Sequence, residues 1–137
     1  MCIKLFQKTV AKYGEYLYLV FRVFIGLLFF AHGAQKLFGW FGGNGGTPLI
    51  SLMGVAGLIE VVAGLAIALG LLTRLAAFVS AIEMVVAYFM VHFPQGWCPL
   101  QNKGELALLY FAAFLVLTWK GAGKWQLDKT LFKKEVF

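Results

Sequence analysis

Charge is scarce in this chain. Only 13% of its 137 residues are Asp, Glu, Lys or Arg, and six of those are acidic. An ordinary soluble domain carries about twice that share. With 61% hydrophobic residues, a water-soluble fold is excluded, because a chain this short has too little interior to hide so much apolar surface. Cysteine is nearly absent too. The pair Cys2 and Cys98 shows no Cys-x-x-Cys spacing, which excludes a self-sufficient thiol–disulfide enzyme. Two histidines without an i+4 partner make no zinc or haem signature, so no metal is predicted. The glycine-rich stretch 42–46 follows a helical pattern and lacks a Gly-Lys-Ser/Thr ending, so it is not a phosphate loop.

What is present is apolar sequence in long runs. Four stand out, at roughly residues 17–38, 49–72, 75–93 and 105–119. They lack the alternation of a barrel, and open strands in lipid would strand backbone N–H and C=O groups, so the runs predict helices. No composition break divides the chain, which is read as one domain over 1–137. The connections are short: Gly42 to Pro48, then Thr73-Arg74, then Pro94 to Gly104. Short links between long helices predict an all-α membrane protein, a four-transmembrane-helix antiparallel bundle. The first run is longer than a signal-peptide core and lacks a cleavage site after it, so it is expected to stay as an anchor.

The formal charge of +6 does not indicate nucleic acid, because the basic residues flank the apolar runs rather than form a face. Lys4, Lys8, Lys12, Arg74, Lys120, Lys124, Lys129, Lys133 and Lys134 gather on one side, against Lys36 and Lys103 on the other. That bias predicts an inner-membrane protein with both termini cytoplasmic and in contact with anionic lipid. Cys2 and Cys98 would then lie on opposite sides. Trp119 and Trp125 would mark the inner interface, and Trp40 and Trp97 the outer one. Ile3, Phe6, Val10 and Tyr13 recur at helical spacing opposite Lys4, Lys8 and Lys12. They read either as an amphipathic N-terminal segment on the inner leaflet or as an extension of the first helix.

Ionisable residues inside apolar spans carry the functional signal. Glu60 and Glu83 fall near the middle of their runs, where a carboxylate costs roughly 2.5–3.5 kcal/mol and needs a partner or a proton. Small residues on the same faces, Gly57 and Gly64 beside Glu60 and Ala76, Ser80 and Ala87 beside Glu83, point both glutamates inward. Arg22, Gly26, Phe29, Gly33 and Lys36 form one stripe on the first helix. Arg22 is expected to reach toward Glu83 or Glu60, with His32, Gln35, Lys36, His92 and Glu105 forming a polar cluster above them. Two readings stay open at this point. The interior is a proton relay or ligand pocket, with a quinone head group as one ligand class, or the charges are a structural pair that fixes helix register.

The segment Arg22-Val-Phe-Ile-Gly-Leu-Leu-Phe-Phe-Ala-His32-Gly33-Ala-Gln35-Lys36-Leu-Phe38-Gly39 resembles the opening helix of the DoxX family. The likeness continues through Gly57-Leu-Ile-Glu60-Val-Val-Ala-Gly64, Leu71-Leu-Thr-Arg74, Lys103-Gly104-Glu105 and the stretch from Gly121 to Asp128. The resemblance implies a four-helix inner-membrane protein similar to the small subunit of thiosulfate:quinone oxidoreductase. It implies a membrane subunit of a quinone-linked redox system that oxidises reduced sulfur compounds or thiols with a partner redox subunit or a soluble oxidoreductase. His32, Glu60 and Glu105 are the expected catalytic residues. Arg22, Lys36, Glu83 and His92 are expected around a quinone, with Glu83 and His92 resting on their depth in the spans. The rival class is a non-catalytic scaffold that docks partner proteins, and a transporter ranks third because one small bundle leaves little room for alternating access. Small-residue stripes permit a homo-oligomer without requiring one.

Overall fold

The computed structural model describes residues 2–136, with the side chains of Cys2 and Leu5 outside that description. The expectation for the Cys2 thiol therefore lies outside the described residues. Among the described residues all regular structure is helical. The first helix, α1, runs without a break over Cys2–Phe38. Then come α2 (Leu52–Leu69), α3 (Thr73–Ala87), α4 (Glu105–Lys120) and a short α5 (Leu127–Phe132). α3 continues as a wide π-helical turn over Tyr88–His92 and a tight turn over Phe93–Gln95. Phe6–Phe38, Leu52–Leu69 and Thr73–Gln95 are long and apolar enough to cross a membrane. α4 has 16 residues, about 24 Å of helix, short of a hydrocarbon core of about 30 Å.

Four helices nevertheless run antiparallel over one height. At one end, Lys120 closing α4 pairs with Glu15 of α1 at 3.0 Å. There too, Arg74 opening α3 donates to the carbonyls of Thr118 and Lys120, and to that of Trp119. At the other end, His92 meets the carbonyl of Asn102 just before α4 begins. Both described chain ends thus lie on one side of the bundle (the terminal end), and the two long connections lie on the other (the loop end). The segment before residue 17 is the start of α1 itself, so of the two readings the structure shows the extension. Its Lys4, Lys8 and Lys12 lie exposed along with Ile3, Phe6, Val10 and Tyr13.

Glycine explains how α1 and α2 pack. A Cβ on Gly26 would stand 2.6 Å from the Ala68 amide nitrogen, and one on Gly64 would stand 2.5 Å from that of Phe30. One on Gly33 would meet the Gly57 carbonyl oxygen at 2.6 Å. Backbone therefore lies on backbone at two levels seven residues apart, a spacing that returns to one face of a helix. α3 packs closely along α4, whereas α2 and α3 meet more loosely. The core between the pairs is aromatic. Phe29 sits edge-on to Phe114 with centroids 4.7 Å apart and 5.4 Å from Tyr110, and all three rings are buried.

The turn between α2 and α3 differs from the one expected at Thr73-Arg74. It falls at Gly70 to Leu72, and Thr73 and Arg74 already belong to α3. Gly70 takes the left-handed conformation (φ 71°) that closes a helix without a Cβ clash. Leu72 is also left-handed (φ 46°), and its amide donates to both carboxylate oxygens of Asp128 at 3.1 Å. Asp128 is fully buried on α5, so the tail after α4 is folded under the bundle and fixes this turn.

Candidate functional site

Arg22 is placed by α1 at the terminal end, not among the glutamates. Its guanidinium donates to the carbonyls of Ala122, Lys124, Trp125 and Ala68. The tail at 121–126 offers a rosette of carbonyls freed from helical pairing, and a planar fork of donors matches several of them at once. The expected pairing of Arg22 with Glu60 or Glu83 is thereby replaced. Lys36 lies fourteen residues further along the same stripe, about 21 Å up the helix, and its Nζ meets Oε1 of Glu60 at 2.5 Å. Arg22→Gln is expected to weaken the packing of the tail at the terminal end by about 1.5–3 kcal/mol. Amide hydrogen exchange over 121–128 checks this, and Arg22→Lys should restore little because one ammonium cannot span four acceptors.

The charged centre is built from three helices. Glu60 on α2 is 3% exposed and Glu83 on α3 is buried. Oε2 of Glu60 and both carboxyl oxygens of Glu83 have no hydrogen-bond partner in the protein. Both glutamates, with Lys36, line a cavity of about 410 Å³ in the seam between α2 and α3. The rest of its wall is apolar, including Met53, Ile59, Val79, Ile82 and Met90. Several of these side chains are exposed on the flank of the bundle. A second apolar cavity of about 370 Å³ shares Ile59 and Val79 and continues along the seam to Leu72 and Leu75. Together they form one groove along most of α2.

A different cavity, of about 200 Å³, lies on the other side of the Lys36–Glu60 pair. His32, Lys36, Glu60, His92, Lys103 and Tyr110 give it polar walls. The ring of His32 stands edge-on to Tyr110 at 5.9 Å. Nδ1 of His92 lies 3.0 Å from the Asn102 carbonyl oxygen. A carbonyl only accepts, so Nδ1 carries the proton and Nε2 of the neutral ring is left as an acceptor. Asn102 is itself buried and locked, donating to the Gly96 carbonyl and accepting from the Gly104 amide.

The structure thus brings His32, Lys36, Glu60 and His92 around one cavity and Lys36, Glu60 and Glu83 around the other. It leaves Arg22 at the far end. It also leaves Glu105 exposed at the start of α4, outside both linings. Glu105 opens that helix, where the free amides favour an acidic side chain facing solvent. Gln35 is half-buried with its side chain and carbonyl against Gly43. Tyr110 was not singled out from sequence, although a hydroxyl-bearing ring midway along an apolar helix is a signal for a polar wall. Among the described residues no group of three His, Cys, Asp or Glu side chains is placed to hold a metal.

The family model DoxX matches residues 17–93, more than half of the chain, from within α1 to beyond the end of α3. An uncharacterized protein of Haemophilus influenzae is 41% identical over 137 residues, covering 93% of this chain and 100% of that protein. Inner membrane protein YqjF of Escherichia coli is 32% identical, over 85% of this chain and 92% of its own length. Uncharacterized membrane protein Rv3486 of Mycobacterium tuberculosis is 28% identical, over 82% and 80%. No solved structure matches. On these likenesses, and with three helices fit to cross a bilayer, the chain is an integral membrane protein and belongs to the DoxX family.

Proposed function

We propose that the chain is the membrane subunit of a quinone-linked redox system. The observation that carries this reading is the pairing of a long apolar groove with three unpartnered carboxyl oxygens and one ammonium. A quinone head group needs a donor for its carbonyl oxygens and, when reduced, acceptors for its hydroxyls. Lys36 offers the donor, and the two carboxyl oxygens of Glu83 offer the acceptors. The groove suits an isoprenoid tail entering sideways from lipid. When bound, a quinone supplies a two-electron, two-proton couple.

The chain's own residues orient the head group, keep water from the groove and take up or hand over protons at Glu83 and Glu60. Electrons come from a partner redox subunit or soluble oxidoreductase that oxidises reduced sulfur compounds or thiols, since the sequence holds no cysteine pair. All four long helices span the bilayer with both termini cytoplasmic. Trp119 and Trp125 stand exposed at the terminal end.

Titration of purified protein in lipid nanodiscs with decylubiquinol tests the reading. Wild type is expected to bind saturably. Glu83→Leu should weaken binding at least tenfold (about 1.4 kcal/mol), and Val79→Trp should abolish it by filling the groove. A wild type that binds nothing assigns Lys36 and Glu60 to a structural pin and the chain to a scaffold.

A further inference from the structure

We propose that the smaller cavity is a water-filled half-channel that carries protons between the loop end of the bundle and the Lys36–Glu60 pair. It rests on the quinone reading only for the identity of the groove ligand that exchanges those protons. Three observations place the route. The smaller cavity carries more polar side chains than the groove, and Lys36, Glu60 and Ala87 line both, so the ion pair stands in the wall between them. The smaller cavity ends at Lys103, an exposed residue of the α3–α4 connection, which gives it a mouth at the loop end. Between mouth and ion pair stand His92, with Nε2 left as an acceptor, and His32 against Tyr110.

A cavity of about 200 Å³, with six polar or ionisable side chains among its eleven lining residues, offers room and hydrogen-bond partners for several waters. Oε2 of Glu60, buried and without a protein partner, is the acceptor such a chain of waters would reach. Each transfer breaks one O–H bond and forms the next, so a proton entering at Lys103 ends on Glu60 and no electrons move. From there the proton passes to Glu83, which lines the groove beside Glu60. The arrangement gives the carboxyl pair contact with water on one side and with lipid-soluble ligand on the other.

Single cysteines in a Cys2→Ser, Cys98→Ser background, reconstituted in nanodiscs without quinone, test this directly. Ala107→Cys and Met84→Cys lie on the wall of the smaller cavity, and Val79→Cys lies on the groove. Silver ion, a small charged thiol reagent, is applied, and the thiols left unblocked are counted with a maleimide dye. Both cavity positions are expected to react at least tenfold faster than Val79→Cys. Equal rates at the three positions, or blocking at Val79→Cys alone, overturn the half-channel. Because no quinone is present, that failure is separate from a failure of decylubiquinol to bind.

Discussion

Lys36→Met is expected to cost about 3 kcal/mol of folding stability, the lower end of the range for removing one partner of a buried ion pair, because Lys36 is half-buried while Glu60 is buried. The size follows from what remains. Glu60 is 3% exposed, its Oε1 accepts from Lys36 at 2.5 Å, and its Oε2 has no other protein partner. Deleting the ammonium leaves the buried carboxyl group with no donor from the protein. Lys36→Met combined with Glu60→Leu should recover most of the loss, because a well-packed apolar pair in place of a buried ion pair is often neutral or better. Unfolding titrations in mixed micelles across the four members of this cycle give the coupling energy. A single Lys36→Met variant as stable as wild type would mean that the pair holds nothing together. The double variant also separates stability from function: it should fold and yet lose decylubiquinol binding.

Gly64→Val is expected to abolish the folded bundle. The added Cβ would fall 2.5 Å from the Phe30 amide nitrogen and 2.7 Å from the Gly26 carbonyl oxygen. Both neighbours are backbone, so neither can swing aside, and α1 must lift away from α2 along the face that also carries Lys36 and Glu60. Overpacking of a core commonly costs 1–3 kcal/mol, and backbone contacts at this distance put the expected loss above that, at about 4 kcal/mol or more. Gly26→Val should behave alike, since its Cβ would meet Ala68. Gly14→Ala is the control. Nothing lies within 4 Å of a Cβ there, and a helical glycine replaced by alanine gains up to about 1 kcal/mol. Size-exclusion profiles and thermal midpoints in one detergent distinguish these outcomes.

The parts of this fold that were legible in sequence are those set by periodicity and lipid. Arg22, Gly26, Phe29, Gly33 and Lys36 were read as one stripe, and four of the five are buried with Lys36 half-buried. Gly57 and Gly64 were read as packing residues, and both lie against α1. Glu60 and Glu83 were expected inside, and both are. Which charge meets which was not legible. Arg22 and Lys36 sit on one face, so the stripe alone offers Glu60 either cation. The choice was made by the tail at 121–128, whose carbonyls have no helical partners and whose path depends on tertiary contacts.

The α2–α3 turn was misplaced for a related reason. Leu72 adopts a left-handed conformation that no local propensity favours, and Asp128, 56 residues away, holds it there. Glu105 looked like a member of the polar cluster because depth along a helix axis says nothing about the side it faces. Division of the interior into an apolar groove and a smaller cavity of mixed lining is a property of how two helix pairs meet, and no single helix encodes it.

Photolabelling with an azido-quinone in nanodiscs, followed by peptide mapping, bears most directly on the quinone site. Label is predicted on α2 between Met53 and Glu60 and on α3 between Val79 and Met90, and decylubiquinone should compete it away. Label spread evenly over the outer faces of all helices, undiminished by competitor, would contradict the site.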